Sequence, residues 1–108
     1  MFARILEFTP KFDQKDEFVK MVRKDILPIM KKQPGFLEFL PFVPEVKNEK
    51  WITISLWTEK YDAEKYVKEV FPKVEEMLRP YLATPIVYKA HNVETTLCEH
   101  FVDALTAA

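Results

Sequence analysis

Trp51-Ile-Thr-Ile-Ser-Leu-Trp57, running straight into Thr58-Glu-Lys-Tyr-Asp-Ala-Glu-Lys-Tyr66, is the stretch that decides how this chain folds. The first seven residues are rich in β-branched and aromatic side chains, which predicts a strand. Thr58 is a candidate cap for the helix that follows. One strand face carries Ile52, Ile54 and Leu56; the other carries Trp51, Thr53, Ser55 and Trp57. Neither face bears a charge, so neither is built for water.

Upstream, Glu45 to Lys50 is a polar hairpin connection, preceded by a second strand, Phe36 to Val43, that is apolar at nearly every position. Pro41 inside it predicts an edge strand or a bulge. Pro34-Gly35 stops a helix that starts from Asp13 as N-cap, with Asp16 and Glu17 in its first turn. That helix runs to about Lys32, with Phe18, Val22, Ile26 and Ile29 on one face. Pro28 should kink it or loosen the turn before it. Phe2 to Phe8 is the first strand, with Phe2, Arg4, Leu6 and Phe8 on one face and Ala3, Ile5 and Glu7 on the other. Pro10 ends it.

Downstream, Tyr66, Val67, Val70, Val74, Met77 and Leu78 recur at helical spacing, and Pro72 predicts a kink or two short helices. After a connection from Arg79 to Pro85, Ile86 to Val93 is a fourth strand. Leu97, Phe101 and Leu105 predict a terminal helical extension over 95–108. The order strand, helix, strand, strand, helix, strand is the split βαβ, ferredoxin-like pattern: an α+β sandwich with an antiparallel sheet, one domain over 1–108. Two helices cover only one face of such a sheet. The other face still presents apolar side chains, which predicts a homodimer packed sheet against sheet.

At 108 residues the chain buries roughly two-thirds of its unfolded surface. Aromatics reach 14%, and one Gly stands against eight Pro, so loops are stiffened rather than loosened. A net charge of −1 offers no basic patch for nucleic acid. The single cysteine excludes an internal disulfide and suits a reducing compartment. The first residues lack the apolar run of a signal peptide, and no stretch approaches the ~20 apolar residues of a membrane span. A cytoplasmic protein with no membrane partner is the expectation.

Few residues invite chemistry. His91 is a candidate general base, since imidazole titrates near neutral pH; alternating with Lys89, it equally suits a half-wet strand face. His100, beside Glu99, reads as a surface residue, and Cys98 with His100 does not make a metal site. Cys98 lacks a visible base to activate it. Arg4 shares a face with Leu6 and Phe8 in a strand expected to be central, so its charge needs a partner. Glu38 is one candidate and an anionic ligand another; the structural ion pair is the commoner solution. Trp57 either closes the end of the core or lines a pocket, stacking on a flat ligand. Thr53 and Ser55 suit a cavity with a few polar groups, or a strand face that is half-buried.

The Pro34-Gly35-Phe36 turn, the Ile52-Thr-Ile-Ser-Leu-Trp57-Thr-Glu strand end and the Tyr61-Asp-Ala-Glu-Lys-Tyr66 helix start resemble the dimeric α/β-barrel proteins of the antibiotic-biosynthesis monooxygenase type. The likeness spans about the first ninety residues. In the haem-degrading branch of that family an Asn late in the first strand, a Trp in the second helix and a His further along it mark the site. Leu6 or Glu7, Tyr66, and Glu75 or Glu76 stand at those places here, and no histidine lies between Phe36 and Ala90. Haem degradation is therefore disfavoured. The quinone-forming branch oxidises phenolic polyketides without metal or flavin, using an Asn and a Trp on the third strand and a Tyr in the second helix. Trp57 matches that Trp, Thr53 replaces the Asn, and Tyr61 and Tyr66 flank Ala63, where the Tyr would fall. The resemblance thus implies a small-molecule pocket of Thr53, Trp57, Tyr61 and Tyr66, with His91 as candidate base, taking an aromatic substrate with no cofactor and no metal. The alternative is a non-catalytic dimeric binding or stress-associated module in which the same residues are packing. Hydrophobicity alone would turn Ile52, Ile54 and Leu56 toward the helices. The resemblance turns Thr53 and Trp57 that way and leaves the aliphatic trio for the dimer.

Overall fold

Four strands, β1 (Phe2–Phe8), β2 (Phe36–Phe42), β3 (Trp51–Trp57) and β4 (Val87–Asn92), form one antiparallel sheet in the order β2-β3-β1-β4. The computed structural model describes residues 1–98. α1 (Lys15–Met21) and α2 (Leu27–Lys31) follow β1, and α3 (Lys60–Glu69) and α4 (Phe71–Leu78) follow β3. This is the α+β, ferredoxin-like arrangement that the element order predicted.

The register decides which residues meet the helices. Phe2, Arg4, Leu6 and Phe8 pair with Trp57, Ser55, Thr53 and Trp51. Those eight side chains share one face, and six of the eight core and polar residues among them are 0–8% exposed. Ile52, Ile54 and Leu56 lie on the other face, where Ile52 is 38% exposed. A tryptophan stands at each end of β3, about 20 Å apart along the strand. At one end Trp51 packs with Phe8 and Phe18, whose rings lie edge-on at 5.7 Å to one another. At the other, Trp57 meets Phe36 edge-on at 5.6 Å and lies against Tyr66 at 5.0 Å. Between these aromatic blocks β3 carries only Thr53 and Ser55, so the sheet is thick at its ends and thin in the middle.

The proline positions act as expected, with corrections in detail. Ahead of Pro28 the helix widens into a π-turn, Val22–Ile26, in which the Leu27 N–H bonds back to the Val22 carbonyl. Pro72 sits in the first turn of α4, and the break at Val70 makes two short helices. β2 is an edge strand, but its bulge falls between Phe36 and Glu38 rather than at Pro41. Asp13 lies in a short 3-10 turn, Phe12–Gln14, and does not cap α1, which starts after Gln14. Thr58 does not cap α3 either: its hydroxyl donates to the Asp62 carboxylate at 2.9 Å instead of accepting a backbone N–H. Thr95–Leu97 form one 3-10 turn, and Phe101, Leu105 and His100 of the expected terminal helix lie outside the described residues.

Candidate functional site

The thin middle of the sandwich holds a cavity of about 490 Å³. Its floor is the sheet: Arg4 and Leu6 from β1, Thr53 and Ser55 from β3. Its roof is helical, with Val22, Ile26 and Met30 on one side and Val74 and Leu78 on the other. Trp51 with Phe18 closes one end, and Tyr66 with Phe71 closes the other. A volume in this range suits a drug-sized organic molecule, and the walls are mainly apolar with a few polar groups.

Three of those polar groups, Arg4, Ser55 and Tyr66, meet at one corner, while Arg23, Lys31 and Glu38 stand elsewhere in the lining. Ser55 pairs with Arg4 across the sheet, and the Arg4 guanidinium lies 4.8 Å from the Phe71 ring centre and 5.9 Å from that of Tyr66. Arg4, Ser55 and Tyr66 are 8%, 7% and 3% exposed. The predicted ion pair with Glu38 is not formed. The Glu38 carboxylate accepts the Phe39 backbone N–H at 3.0 Å, because the bulge folds it back along its own strand. Among the described residues the ion pairs are Lys60–Glu64, Arg79–Glu75 and Lys89–Glu7, and none includes Arg4. Burial pushes the Arg4 pKa down, opposed by its attraction to Tyr66. A guanidinium nevertheless stays cationic at neutral pH. Burial also pushes the Tyr66 phenol up to about 12, with Arg4 pulling the other way, so its hydroxyl is a hydrogen-bond donor at neutral pH.

Of the candidate residues, the structure brings Thr53 and Tyr66 to the cavity wall. Trp57, with 0% exposure, lies behind the wall, where its Nε1–H donates to Ser55 Oγ at 2.9 Å. It holds Ser55 and Tyr66 in place and does not itself line the space. Tyr61 is 68% exposed on the first turn of α3 and lies outside the cavity, because the helix phase that buries Ala63 and Tyr66 turns it outward. His91 pairs with Ala3, which puts it on the sheet face away from the helices, exposed and remote from the cavity. Among the described residues no cluster of His, Cys, Asp or Glu is placed to hold a metal ion. Phe71 was missed; the only signal was an aromatic residue directly before the helix-breaking Pro72.

Arg4 and Phe71 also line a second, more open cleft of about 510 Å³ between β1, β4 and α3–α4. Their stacked pair is the wall between the two spaces.

The chain matches the sequence profile of the antibiotic biosynthesis monooxygenase family over residues 1–73. It belongs to that family. No curated protein matches the sequence. Among solved structures, a variant of SnoaB, a cofactor-independent oxygenase from Streptomyces nogalater, superposes with a TM-score of 0.73 at 16% identity, over 86% of this chain and 92% of that one. A conserved protein from Methanosarcina mazei gives 0.72 at 12% identity, over 87% and 94%. A variant of MhuD, solved with manganese protoporphyrin IX, gives 0.72 at 16%, over 87% and 95%. At these identities the likenesses show a shared fold and nothing finer. A cofactor-independent oxygenase and a porphyrin-bound protein thus share one scaffold, so only the site distinguishes them.

Proposed function

We propose that this monooxygenase-family protein oxidises a small aromatic substrate with dioxygen and without a cofactor, and that it works as a homodimer. The observation that carries the reading is the aromatic-walled cavity of about 490 Å³, with its donors gathered at one corner. An electron-rich phenol can supply all four electrons that reduce dioxygen. One oxygen atom enters the ring as a quinone carbonyl, and the other leaves as water. The protein's task is then to hold the substrate's oxygen as an anion while it gives up electrons. The buried, cationic Arg4 and the buried, protonated Tyr66 hydroxyl are suited to that, because interactions with charge strengthen away from bulk water. Thr53 and Ser55 add small polar contacts on the floor.

The test is oxygen uptake by the purified protein with a panel of mono- and polycyclic phenols, in the presence of a chelator. We expect uptake with at least one phenol, and at least a tenfold lower rate in Met30→Trp, whose indole intrudes on the cavity. No uptake with any phenol sinks the catalytic reading. The second reading, a non-catalytic binding module, is favoured by one observation: among the described cavity residues there is no histidine or cysteine to act as a base near neutral pH.

A further inference from the structure

We infer that the cavity is built for an organic acid: a ligand carboxylate docks against Arg4, with the hydroxyls of Ser55 and Tyr66 donating to the same group. This deepens the proposed pocket function and rests on the cavity being a ligand site, but it does not depend on any reaction occurring there.

The argument is a count of donors and acceptors at one buried corner. Arg4 offers a planar fork of N–H donors and has no acceptor. No described residue makes an ion pair or a side-chain hydrogen bond with it, and it lies over the ring faces of Phe71 at 4.8 Å and Tyr66 at 5.9 Å. Ser55 Oγ already accepts a hydrogen bond from the Trp57 indole at 2.9 Å, so its own proton is left to donate. The Tyr66 hydroxyl remains protonated and adds a further donor. Among the described residues, no sealed side-chain nitrogen or oxygen is left without a partner. Donors that lack a protein partner here therefore keep some exposed surface, toward the cavity that Arg4, Ser55 and Tyr66 all line or, for Arg4, also toward the outer cleft. The carboxylate of the lining, Glu38, is turned to its own strand's Phe39 N–H and is exposed.

Three donors, one of them a cation, thus share a corner at which no carboxylate of the lining pairs with them. A buried charge left unpaired is costly, and a ligand that supplies the counter-charge removes that cost. A carboxylate fits better than a phenolate for two reasons. Its two oxygens match the guanidinium fork bidentately, with lone pairs remaining for both hydroxyls. It is also already ionised at neutral pH, whereas a phenol must first lose its proton. The remaining walls are mainly apolar around Leu6, Met30 and Val74, with Arg23 and Lys31 also in the lining, and suit the acid's hydrocarbon body.

The experiment is anaerobic calorimetry on the full chain, with aryl carboxylates of one to three rings and the matching neutral carboxamides, starting with 2-naphthoate and 2-naphthamide. We expect at least one acid to bind tenfold or more tightly than its amide. That preference should vanish in Arg4→Met, fall partway in Arg4→Lys, and weaken several-fold in Tyr66→Phe, which keeps the ring and loses only the hydroxyl. Met30→Trp, which narrows this cavity and leaves the outer cleft as it is, should weaken acid binding several-fold. Equal binding of acid and amide, no binding by any acid, or acid binding unchanged in Met30→Trp would overturn the inference. If Arg4→Met does not fold, Tyr66→Phe and Met30→Trp still decide it. Because oxygen is excluded, a failed oxygen-uptake assay leaves this result standing, and the reverse also holds.

Discussion

At the scale of single residues, Tyr66 and Trp57, both expected to line the pocket, take different places. Tyr66 presents its hydroxyl to the cavity, and Trp57 stands behind it, bonded to Ser55. Trp57→Phe should cost about 1–3 kcal/mol, since it removes indole packing and a buried hydrogen bond, whereas Trp57→Ala should cost about 3–5 kcal/mol. Urea unfolding followed by far-ultraviolet circular dichroism measures both. Tyr66 also sets an alkaline limit. In the unfolded chain its phenol ionises at its ordinary value of 10.0, but in the fold it is pushed up to about 12. As pH rises through that window the unfolded state loses its proton first, so native stability falls; below pH 10.0 the contribution is constant. A loss of about 2 kcal/mol between the two values is expected, and it should be absent in Tyr66→Phe. Thr53 and Ser55 could be assigned to the cavity side only through family resemblance, because hydrophobicity alone favours turning the aliphatic trio inward. The charge on Arg4 was legible, but its lack of a partner was not. That depended on a bulge in a neighbouring strand, which no local pattern in Phe36 to Phe42 announces.

At the scale of elements, Gly35 fixes how the first helical segment hands over to β2. Its φ of 79° lies in the left-handed region, its carbonyl accepts the Thr58 N–H at 2.8 Å, and a Cβ there would overlap the Asp62 carboxylate. Gly35→Ala should therefore destabilise the protein by about 1–2 kcal/mol from backbone strain alone, with the Asp62 overlap adding to it, as thermal unfolding would show. On the far side of the sheet, Lys89 Nζ lies 2.6 Å from Glu7 Oε2 and bridges β4 to β1. The hydrogen bond from Lys89 holds the Glu7 carboxyl below its usual range. The sign follows from that depression: the pair contributes above the ordinary glutamate value and is lost as pH falls through the lower folded one. Glu7→Gln should flatten that part of the acid limb in a pH series of melting temperatures. The helices were readable because their prolines punctuate them. The capping roles were not, because Asp13 and Thr58 have other hydrogen-bond options that only the folded chain selects.

Across the whole molecule, one sheet face is roofed by helices and the other is bare. Phe42, Val87 and Ile52 are 50%, 39% and 38% exposed there, with Ile5, Leu40 and Ile54 half-buried beside them. An apolar surface of this breadth is the basis for the proposed dimer. Sedimentation should find twice the chain mass of 12.8 kDa for the natural sequence and a single chain mass for Ile54→Lys. A monomeric natural protein would remove the proposal. No helix among the described residues is long and apolar enough to cross a membrane. The overall architecture was legible from element order alone, since six elements in that sequence leave few ways to bury one sheet face. The cavity was not, because it arises from a contrast in side-chain size along β3 that matters only once helices lie across it.

The two tryptophans at the ends of β3 also give the molecule a built-in optical readout. Trp51 borders the cavity, with the Lys15 ammonium 5.8 Å from its ring, while Trp57 is sealed off and hydrogen-bonded to Ser55. A guest arriving in the cavity changes the surroundings of the first indole and leaves the second largely untouched. In Trp57→Phe the emission comes from Trp51 alone, so occupancy of the cavity can be followed by fluorescence, without a label and before any substrate is known.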